Sequence, residues 1–278
     1  MPTHRFLVVD VFTDTALAGN QLAVFTDARG IDAETMQALA LEIGFSETTF
    51  VLPAEAGGTA RVRIFNPDHE MQFAGHPVLG TAWALAQPLQ RGVVELETGS
   101  GIVPVEIDRD ESGGLVFGRM QQPIPTIEPL ADEHSLLSVL GLERSELPVE
   151  LYDNGATHIV VTLSSAAAVA ALAPDSAAIA SFGVTGVNCV AGEGARWKTR
   201  MFWPRGEDAA TGSAAGPIAC HLSRHGRVEW GEWIEISQGA EIGRLSTLFA
   251  RADGAGGEIV SVFCGGRAVV VARGEFRL

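Results

Sequence analysis

The chain has 278 residues, of which 46% are hydrophobic and 19% charged, so it is long enough for two domains with well-buried cores. Its 34 acidic and 19 basic residues give a net charge of −15, and no Lys/Arg cluster interrupts the acidic surface. Such a surface repels phosphate backbones, which argues against nucleic acid as a partner. A small anionic substrate can still bind locally, at helix termini and backbone amides.

The cysteines Cys189, Cys220 and Cys264 are isolated and lie in apolar segments, which predicts buried thiols in a reducing compartment and not a disulfide framework. The N-terminus becomes polar too soon for a signal sequence, and no apolar stretch reaches the ~20 residues that a membrane span needs. We therefore expect a cytoplasmic protein that makes no membrane contact.

In the first half, the pattern predicts strands at Arg5–Val11 and Leu22–Phe25. A helix is predicted from about Ala33 to Ile43, because Asp32 is a suitable N-cap and Gly44 a suitable end. Further strands are predicted at Phe45–Val51, Arg61–Phe65, Gly101–Ile107 and Gly114–Met120.

Two apolar helices are predicted, one from Pro77 to Ala86 and one from Ala214 to Leu222, the second closed by Gly226. A helix without a polar face must be buried all round, so each should be wrapped by strands. The predicted fold class is therefore α+β, with two similar pseudo-symmetric domains, each a barrel-like β-sheet around a central α-helix.

The Pro-rich segment 122–130 is predicted as the linker between the halves, because it cannot pair as a central strand. The halves are then 1–121 and 131–278, and the terminal strand has the option of returning to the first half. In the second half the pattern predicts helices at Ser135–Leu140, Ser164–Leu172 and Ala177–Ala180, and strands at His158–Leu163, Glu232–Ser237, Glu241–Ala250 and Ala268–Ala272.

A repeat supports this organisation. Residues 63–76 align without a gap on residues 200–213, with Arg, Phe, Pro, Glu and Gly at five of the fourteen positions. Because the offset is about half the chain length, two copies of one domain are the simplest interpretation. Each copy ends in a small-residue turn before its apolar helix, at Gly75-His76 and Gly212-Ser213. Two such helix starts facing each other would bind a carboxylate or a developing enolate.

Candidate acid/base residues lie beside these turns. Glu47 stands among Ser and Thr between two phenylalanines, where burial would raise its pKa towards the range of a general base. Asp208 lies four residues ahead of Gly212, and His76 follows Gly75. Non-catalytic interpretations stay open: Glu47 as a solvated strand residue, and Asp208 and His76 as capping or loop residues. Two further acids are predicted to brace arginines, Glu70 beside Arg63 and Glu207 beside Arg200.

Other chemistries find less support. Ser213, Asp208 and His76 raise the idea of a hydrolase, but the nucleophile elbow G-x-S-x-G is absent. No dinucleotide fingerprint or P-loop occurs, so no bound cofactor is indicated. His221 and His225 stand four apart, as metal ligands on a helix would, yet no Cys, Asp or Glu follows in an obvious third position. No metal site is predicted.

The motifs taken together are specific. They are Val9-Asp10-Val11-Phe12, Gly19-Asn20, Gly44-Phe45-Ser46-Glu47-Thr48-Thr49-Phe50-Val51, Phe73-Ala74-Gly75-His76-Pro77, Gly80-Thr81-Ala82, Glu207-Asp208-Ala209-Ala210-Thr211-Gly212-Ser213-Ala214, Ser237-Gln238-Gly239 and Gly243-Arg244. In this order and spacing the chain resembles, almost end to end, the phenazine-biosynthesis isomerase family (PhzF-like), within the diaminopimelate epimerase fold.

The resemblance implies cofactor-independent proton transfer within a small carboxylate-bearing substrate, in a cleft between the halves. It assigns Glu47 as the general acid/base that removes a proton and returns it elsewhere. His76, Asp208 and Ser213 would orient the substrate and assist the transfer. The expected substrate-binding set is Gly75, His76, Gly212, Ser213 and Asn20.

Epimerases of this fold use two cysteines at the turns, where this chain has Ala74 and Thr211, so a two-thiol mechanism is not expected. At four positions beside the site this chain has a residue that differs from the usual one of the family, and the identity of the substrate therefore stays open. An amino-acid racemase or epimerase and a non-catalytic binding protein of the same fold remain alternatives, and a homodimer is compatible with the fold. The departures are Gln21, Asn66, Gln72 and Ala209.

Overall fold

In the computed structural model, which describes residues 2–278, helix α1 spans Ala33–Ile43, as predicted. The Asp32 side chain accepts a hydrogen bond from the Thr35 main-chain N, and Gly44 ends the helix in the left-handed region at φ 70°. Both ends are therefore set by local chemistry, an N-cap carboxylate and a glycine that tolerates positive φ.

The chain divides into two units, the first formed by Met1–Gln121 with Gly265–Leu278 and the second by Gln122–Cys264. Besides α1, the first unit contains helix α2 at Gly75–Leu89. Its strands are β1 Thr3–Val11, β2 Asn20–Phe25, β3 Glu47–Leu52, β4 Ala60–Phe65, β5 Glu70–Met71, β6 Val93–Thr98, β7 Gly101–Arg109, β8 Leu115–Gln122 and the C-terminal β18 Ala268–Arg277.

The second unit has helices α3 Glu133–Leu140, α4 Ala166–Ala170 and α5 Gly212–Arg224, with 3₁₀ turns at Ser176–Phe182 and Ala240–Ile242. Its strands are β9 Thr126–Pro129, β10 Glu150–Asp153, β11 Thr157–Thr162, β12 Gly186–Glu193, β13 Arg196–Trp203, β14 Gly206–Asp208, β15 Ile234–Gln238, β16 Ser246–Ala255 and β17 Glu258–Gly266.

The two units repeat one pairing pattern. In the first, β1–β2 is antiparallel, β2–β3 parallel, β3–β4 antiparallel, β4–β6 parallel and β6–β7 antiparallel. In the second, β10–β11, β11–β12, β12–β13, β13–β15 and β15–β16 follow the same sequence of directions. The repeat inferred from residues 63–76 and 200–213 thus extends over the strand topology of each unit.

The sequence repeat also holds in detail at its short hairpins. Phe65 pairs with Glu70 across β4 and β5, and Phe202 pairs with Glu207 across β13 and β14. The predicted bracing is confirmed, because each glutamate receives two hydrogen bonds from its arginine. These pairs are Arg63–Glu70 at 2.7 and 2.6 Å and Arg200–Glu207 at 3.0 and 2.6 Å.

The predicted apolar helices are central to their units. Every residue of α2 from Gly75 to Ala86 is buried, and the helix packs on β1, β2, β3, β6 and β7. A Cβ at Gly80 would stand 2.7 Å from Leu22 Cδ2 and Val11 Cγ2, so glycine allows this close approach to the sheet. In the second unit, α5 is buried from Gly212 to Ser223 and packs on β11 and β16.

Three sequence expectations need correction. The strand predicted at Glu241–Ala250 begins only at Ser246, because Ala240–Ile242 forms a 3₁₀ turn that Gly243 ends. Part of the segment predicted as a linker is strand β9, which pairs antiparallel with β10 along Thr126–Pro129. Proline prevents pairing only where its missing N–H would face a partner, so a short strand can still form. Helix α2 begins two residues before Pro77, which still falls among the first four positions, where an N–H has no partner within the helix. Within residues 2–278, none of the helices has the length and apolar character to cross a membrane.

Candidate active site

The first unit brings Glu47, His76 and Asn20 together from three elements. Glu47 begins β3, Asn20 begins β2, and His76 is the second residue of α2. Glu47 Oε2 lies 3.2 Å from His76 Nε2, and Asn20 Nδ2 lies 3.5 Å from His76 Nδ1. Ser46 Oγ lies 3.3 Å from Asn20 Oδ1. We call these four residues the Glu47 cluster.

The local fold holds these side chains in place. Gly19, which precedes Asn20, has φ 68°, and a Cβ there would collide with the Val11 carbonyl oxygen. Only glycine adopts this turn without strain. Two residues beyond Glu47, Thr49 Oγ1 lies 2.8 Å from Thr81 Oγ1 and ties β3 to α2. The strand that carries the carboxylate and the helix that carries the histidine are thereby joined.

The carboxyl group of Glu47 is electrostatically unusual. Burial, which disfavours the charged form, raises its pKa to about 7, and a hydrogen bond from Ser46 acts in the opposite direction. A carboxyl group with a pKa near 7 exchanges a proton readily at neutral pH, in either direction. The exposed fraction of its side chain is 16%, so the group is largely enclosed but not sealed from a ligand.

Both helix starts lack a side-chain cap. Ala74 is the N-cap residue of α2 and Thr211 that of α5, and neither side chain caps its helix with a hydrogen bond. Uncapped first-turn N–H groups favour an anion there, by roughly 0.3–1 kcal/mol from the helix dipole. Gly75 and Gly212, the first residues of the two helices, leave room for a ligand to approach the backbone.

In the second unit, Asp208 is held by Thr211 and Gln238. Thr211 Oγ1 donates to Asp208 Oδ2 at 2.7 Å, and Gln238 Nε2 donates to the Asp208 carbonyl at 3.0 Å. Gln238 also contacts Thr211 twice, accepting from its main-chain N at 3.1 Å and donating to its hydroxyl at 2.9 Å. The orientation of Asp208 is therefore fixed from both the loop and β15.

Ser213, at the second position of α5, also has fixed partners. Its hydroxyl lies 2.9 Å from His158 Nε2, and its carbonyl accepts from Asn154 Nδ2 at 2.9 Å. The carbonyl of the preceding Gly212 accepts from Gln122 Nε2 at 2.8 Å. We call Asp208, Thr211, Gln238, Ser213 and His158 the Ser213 cluster.

Sequence reasoning missed several of these groups. His158, Asn154 and Gln122 were assigned no role, and Gln238 appeared only within a motif. All four side chains are buried and hydrogen-bonded in the structure, but only His158, which precedes the apolar run 159–161, carried a signal in the sequence. The partner itself could not be named, because it lies on a distant element.

The cysteines take no part in either cluster. Cys189, Cys220 and Cys264 are free and buried, as predicted. Burial raises the pKa of the Cys189 and Cys220 thiols to about 12 and that of Cys264 further still. Such thiols are neutral at pH 7 and poor nucleophiles. Together with Ala74 and Thr211 at the turns, this argues against thiol-based proton transfer.

The expectation that no Cys, Asp or Glu stands beside His221 and His225 is wrong. His221 and His225 do have a carboxylate nearby, Glu150 of β10, at 3.2 and 3.0 Å. The same oxygen, Glu150 Oε2, also accepts from Tyr152 at 2.7 Å and from Arg224 at 2.8 Å. The guanidinium of Arg224 already occupies the carboxylate and would compete with a metal cation. We therefore interpret these side chains as contacts that attach the end of α5 to β10.

Comparison with known proteins tests the family resemblance that the motifs indicated. The model of the family described as PhzC-PhzF, phenazine biosynthesis-like protein, matches residues 9–274. The trans-2,3-dihydro-3-hydroxyanthranilate isomerase of Pseudomonas aeruginosa is 47% identical over 275 residues, which cover 98% of this chain and 99% of that protein. The resemblance inferred from the motifs is thereby confirmed.

Solved structures support the fold. The phenazine biosynthesis protein of the PhzF family from Bacillus anthracis superposes with a TM-score of 0.88 at 25% identity, over the whole of both chains. A hydroxyproline epimerase from Agrobacterium vitis, with bound trans-4-hydroxy-L-proline, gives a TM-score of 0.67 at 15% identity over 98% of this chain and 92% of its own. The second likeness shows the fold alone, and the predicted α+β fold is confirmed.

Proposed function

The chain belongs to the phenazine biosynthesis-like (PhzC-PhzF) family, and on that premise we propose that Glu47 moves a proton within a small carboxylate-bearing substrate. The predicted enzyme class, a PhzF-like isomerase, is confirmed by the relative at 47% identity over nearly the whole of both chains.

The observation that carries the proposal is the environment of Glu47. Its pKa near 7 lets the carboxylate accept a proton from carbon and lets the carboxylic acid return it. His76 Nε2 lies 3.2 Å from Glu47 Oε2, beside the carboxyl oxygen that would exchange the proton. Asn20 contacts the other nitrogen of that imidazole and so orients the ring. One residue then acts as base and acid in turn, with no organic cofactor in the scheme.

The helix starts supply the other half of the chemistry. The N–H groups at Gly75-His76 and Gly212-Ser213 would hold the substrate carboxylate or the negative charge that develops when a proton leaves carbon. Asp208, fixed by Thr211 and Gln238, would accept a hydrogen bond from a substrate hydroxyl or amino group.

We propose trans-2,3-dihydro-3-hydroxyanthranilate as the first substrate to test, because the relative from P. aeruginosa is named for it. It carries the kinds of group that the proposal calls for: a carboxylate, an amino group and a hydroxyl group. The alternative, an amino-acid racemase or epimerase, keeps some support because a hydroxyproline epimerase shares the fold. Analysis of the product separates them, since a racemase inverts one centre and an isomerase moves a double bond.

The test is incorporation of solvent deuterium into this compound and into a panel of amino carboxylates. Wild type should convert the substrate, and Glu47→Gln should reduce the rate by roughly 10²–10⁴-fold, the usual contribution of a general base. Glu42→Gln, which alters an exposed carboxylate on α1, is the matched control and should keep full activity. Equal rates for wild type and Glu47→Gln would remove Glu47 from its role.

Cytoplasmic location and a homodimer belong to the same proposal. The three free, buried cysteines are consistent with a reducing compartment. Light scattering coupled to size-exclusion chromatography tests the dimer, for which a mass near twice 29.3 kDa is expected.

A further inference from the structure

Ser213 is paired with a fully buried imidazole. His158 of β11 has no exposed surface, and its Nε2 lies 2.9 Å from Ser213 Oγ. A serine hydroxyl beside a histidine can be used in two opposite ways. A neutral imidazole carries one donor nitrogen and one acceptor nitrogen, so the position of its proton decides whether Ser213 receives or gives the hydrogen bond.

Asn188 of β12 decides the position of that proton. Its Nδ2 lies 3.4 Å from His158 Nδ1 and 3.4 Å from the Ile159 carbonyl oxygen. A carbonyl oxygen only accepts, so the amide must present its NH₂ group on this side. Nδ1 of His158 then accepts, and the ring proton resides on Nε2.

The reverse orientation of the amide is worse. Asn188 Oδ1 has no hydrogen-bond partner within the described residues. Rotating the amide would place its two N–H donors in that position and would set Oδ1 against the Ile159 carbonyl oxygen. Two opposed oxygens cost more than one carbonyl oxygen without a donor, because the contact with Ile159 turns from attractive to repulsive.

The charge state agrees with a single ring proton. Burial lowers the pKa of His158 to about 4, with a smaller opposing effect from the Asp153 carboxylate. The imidazole is therefore neutral at pH 7, and Nε2–H donates to Ser213 Oγ. Because the serine oxygen accepts this bond, its own proton is free to point to another acceptor. Asn154 meanwhile holds the Ser213 carbonyl, so the residue cannot turn away.

We propose that His158 is a positioning residue that fixes the Ser213 hydroxyl as a hydrogen-bond donor to the carboxylate of the substrate. The arrangement is the reverse of a hydrolase pair, in which Nε2 accepts the serine proton and the third residue accepts from Nδ1. Here the third residue donates, so Ser213 binds an anion and is not activated as a nucleophile. The assignment of the anion rests on the proposed function, whereas the tautomer does not.

The tautomer is measured directly. Long-range ¹H–¹⁵N NMR on the full-length protein labelled at histidine nitrogen, with His158 assigned from the spectrum of His158→Gln, reports which nitrogen carries the proton. The expected result is an Nε2–H tautomer that does not change between pH 6 and pH 8. An Nδ1–H tautomer, or a titration within that range, would overturn the inference whether or not the protein turns over any substrate.

Action through Ser213 is tested by a double-mutant cycle. His158→Phe and Ser213→Ala should each raise KM about tenfold and change kcat little, because both weaken ground-state and transition-state binding alike. If His158 acts through Ser213, the double variant should be no worse than Ser213→Ala alone. Additive losses would overturn the positioning role, and melting temperatures identify a variant that has merely lost its fold.

If the proposed function is wrong, the positioning role of His158 can still be tested by ligand binding. If wild type converts no substrate, the same cycle is run on the dissociation constant of 3-hydroxyanthranilate, an aromatic carboxylate with the same substituents. Weaker binding in both single variants, with no further loss in the double, supports the inference in an enzyme of other specificity. Binding that is unaffected by Ser213→Ala would overturn it.

Discussion

Glu47 and Gly186 occupy the same place in the strand pairing of the two units. Glu47 pairs with Leu22 on the parallel neighbour, and Gly186 pairs with His158. The residues that follow them face Phe65 and Phe202, which coincide in the sequence repeat. The second unit thus lacks a carboxylate at the position of the proposed base. A single acid/base residue is what we expect if the same carboxyl group removes the proton from the substrate and later returns it.

The pKa of Glu47 predicts a pH profile. The base must be ionised to accept a proton, so kcat/KM should fall about tenfold per pH unit below pH 7 and level off above it. Removing the Ser46 hydroxyl takes away a hydrogen bond that lowers this pKa, so Ser46→Ala should move the limb to higher pH. Initial rates between pH 5.5 and 9 measure both. An apparent pKa of the pH profile near the ordinary glutamate value of 4.5 would contradict the assignment of Glu47 as the base.

The same shift predicts a stability effect. The pKa of Glu47 is higher in the folded chain than in the unfolded one, so the folded state binds more protons between pH 4.5 and 7, and stability falls as pH rises through this window. Glu47→Gln mimics the protonated side chain and escapes this loss. Its stability advantage over wild type should grow by on the order of 2 kcal/mol from pH 5 to pH 8. Urea unfolding at the two pH values measures it, and a constant difference would count against a buried carboxylate.

The repeated Arg–Glu pairs provide a matched comparison. Side chains of Arg200 and Glu207 are 10% and 7% exposed, against 20% and 36% for Arg63 and Glu70. Glu207→Gln leaves a buried guanidinium with only the more distant Glu241 carboxylate, 4.0 Å away, and should cost about 3 kcal/mol of unfolding free energy. Glu70→Gln should cost about 1 kcal/mol or less, because water screens the more exposed pair. Chemical denaturation of the two variants tests the order, and equal losses would contradict it.

Thr211 is expected to act on catalysis through Asp208. Its hydroxyl donates to Asp208 Oδ2 and accepts from Gln238. Thr211→Val removes this hydrogen bond from the carboxylate and should lower kcat by about tenfold, the effect of one lost hydrogen bond to a charged group. Thr211→Ser keeps the hydroxyl and should stay within about twofold of wild type. If steady-state kinetics show the two variants to be alike, the hydroxyl is not what positions Asp208.

Local signals in the sequence were enough for several elements. Asp32 and Gly44 located both ends of α1, since an N-cap and a left-handed stop act within one turn. The apolar runs after Gly75 and Gly212 predicted buried helices, because a helix with no polar face has no other stable place. The alignment of residues 63–76 with 200–213 predicted the Arg–Glu pairs.

Long-range relationships were out of reach. His158 precedes Ser213 by 55 residues, and only the pairing of β11 with β10 and β12 brings it under the start of α5. Glu150 was likewise missed as the partner of His221, 71 residues away. Strand β9 was mistaken for linker because proline composition was weighed without knowing which edge the strand would occupy. In each case spatial pairing, and not local propensity, decided the outcome.

Strand β18 has a consequence for the order in which the chain folds. It belongs to the first unit and pairs with β1 from Thr3 to Val11, yet it follows the whole of the second unit in sequence. On a ribosome that adds ~5–20 residues per second, β1 waits roughly 10–50 s for this partner. The second unit, continuous from Gln122 to Cys264, has all its residues earlier. The half that is synthesised first is therefore the half that finishes folding last.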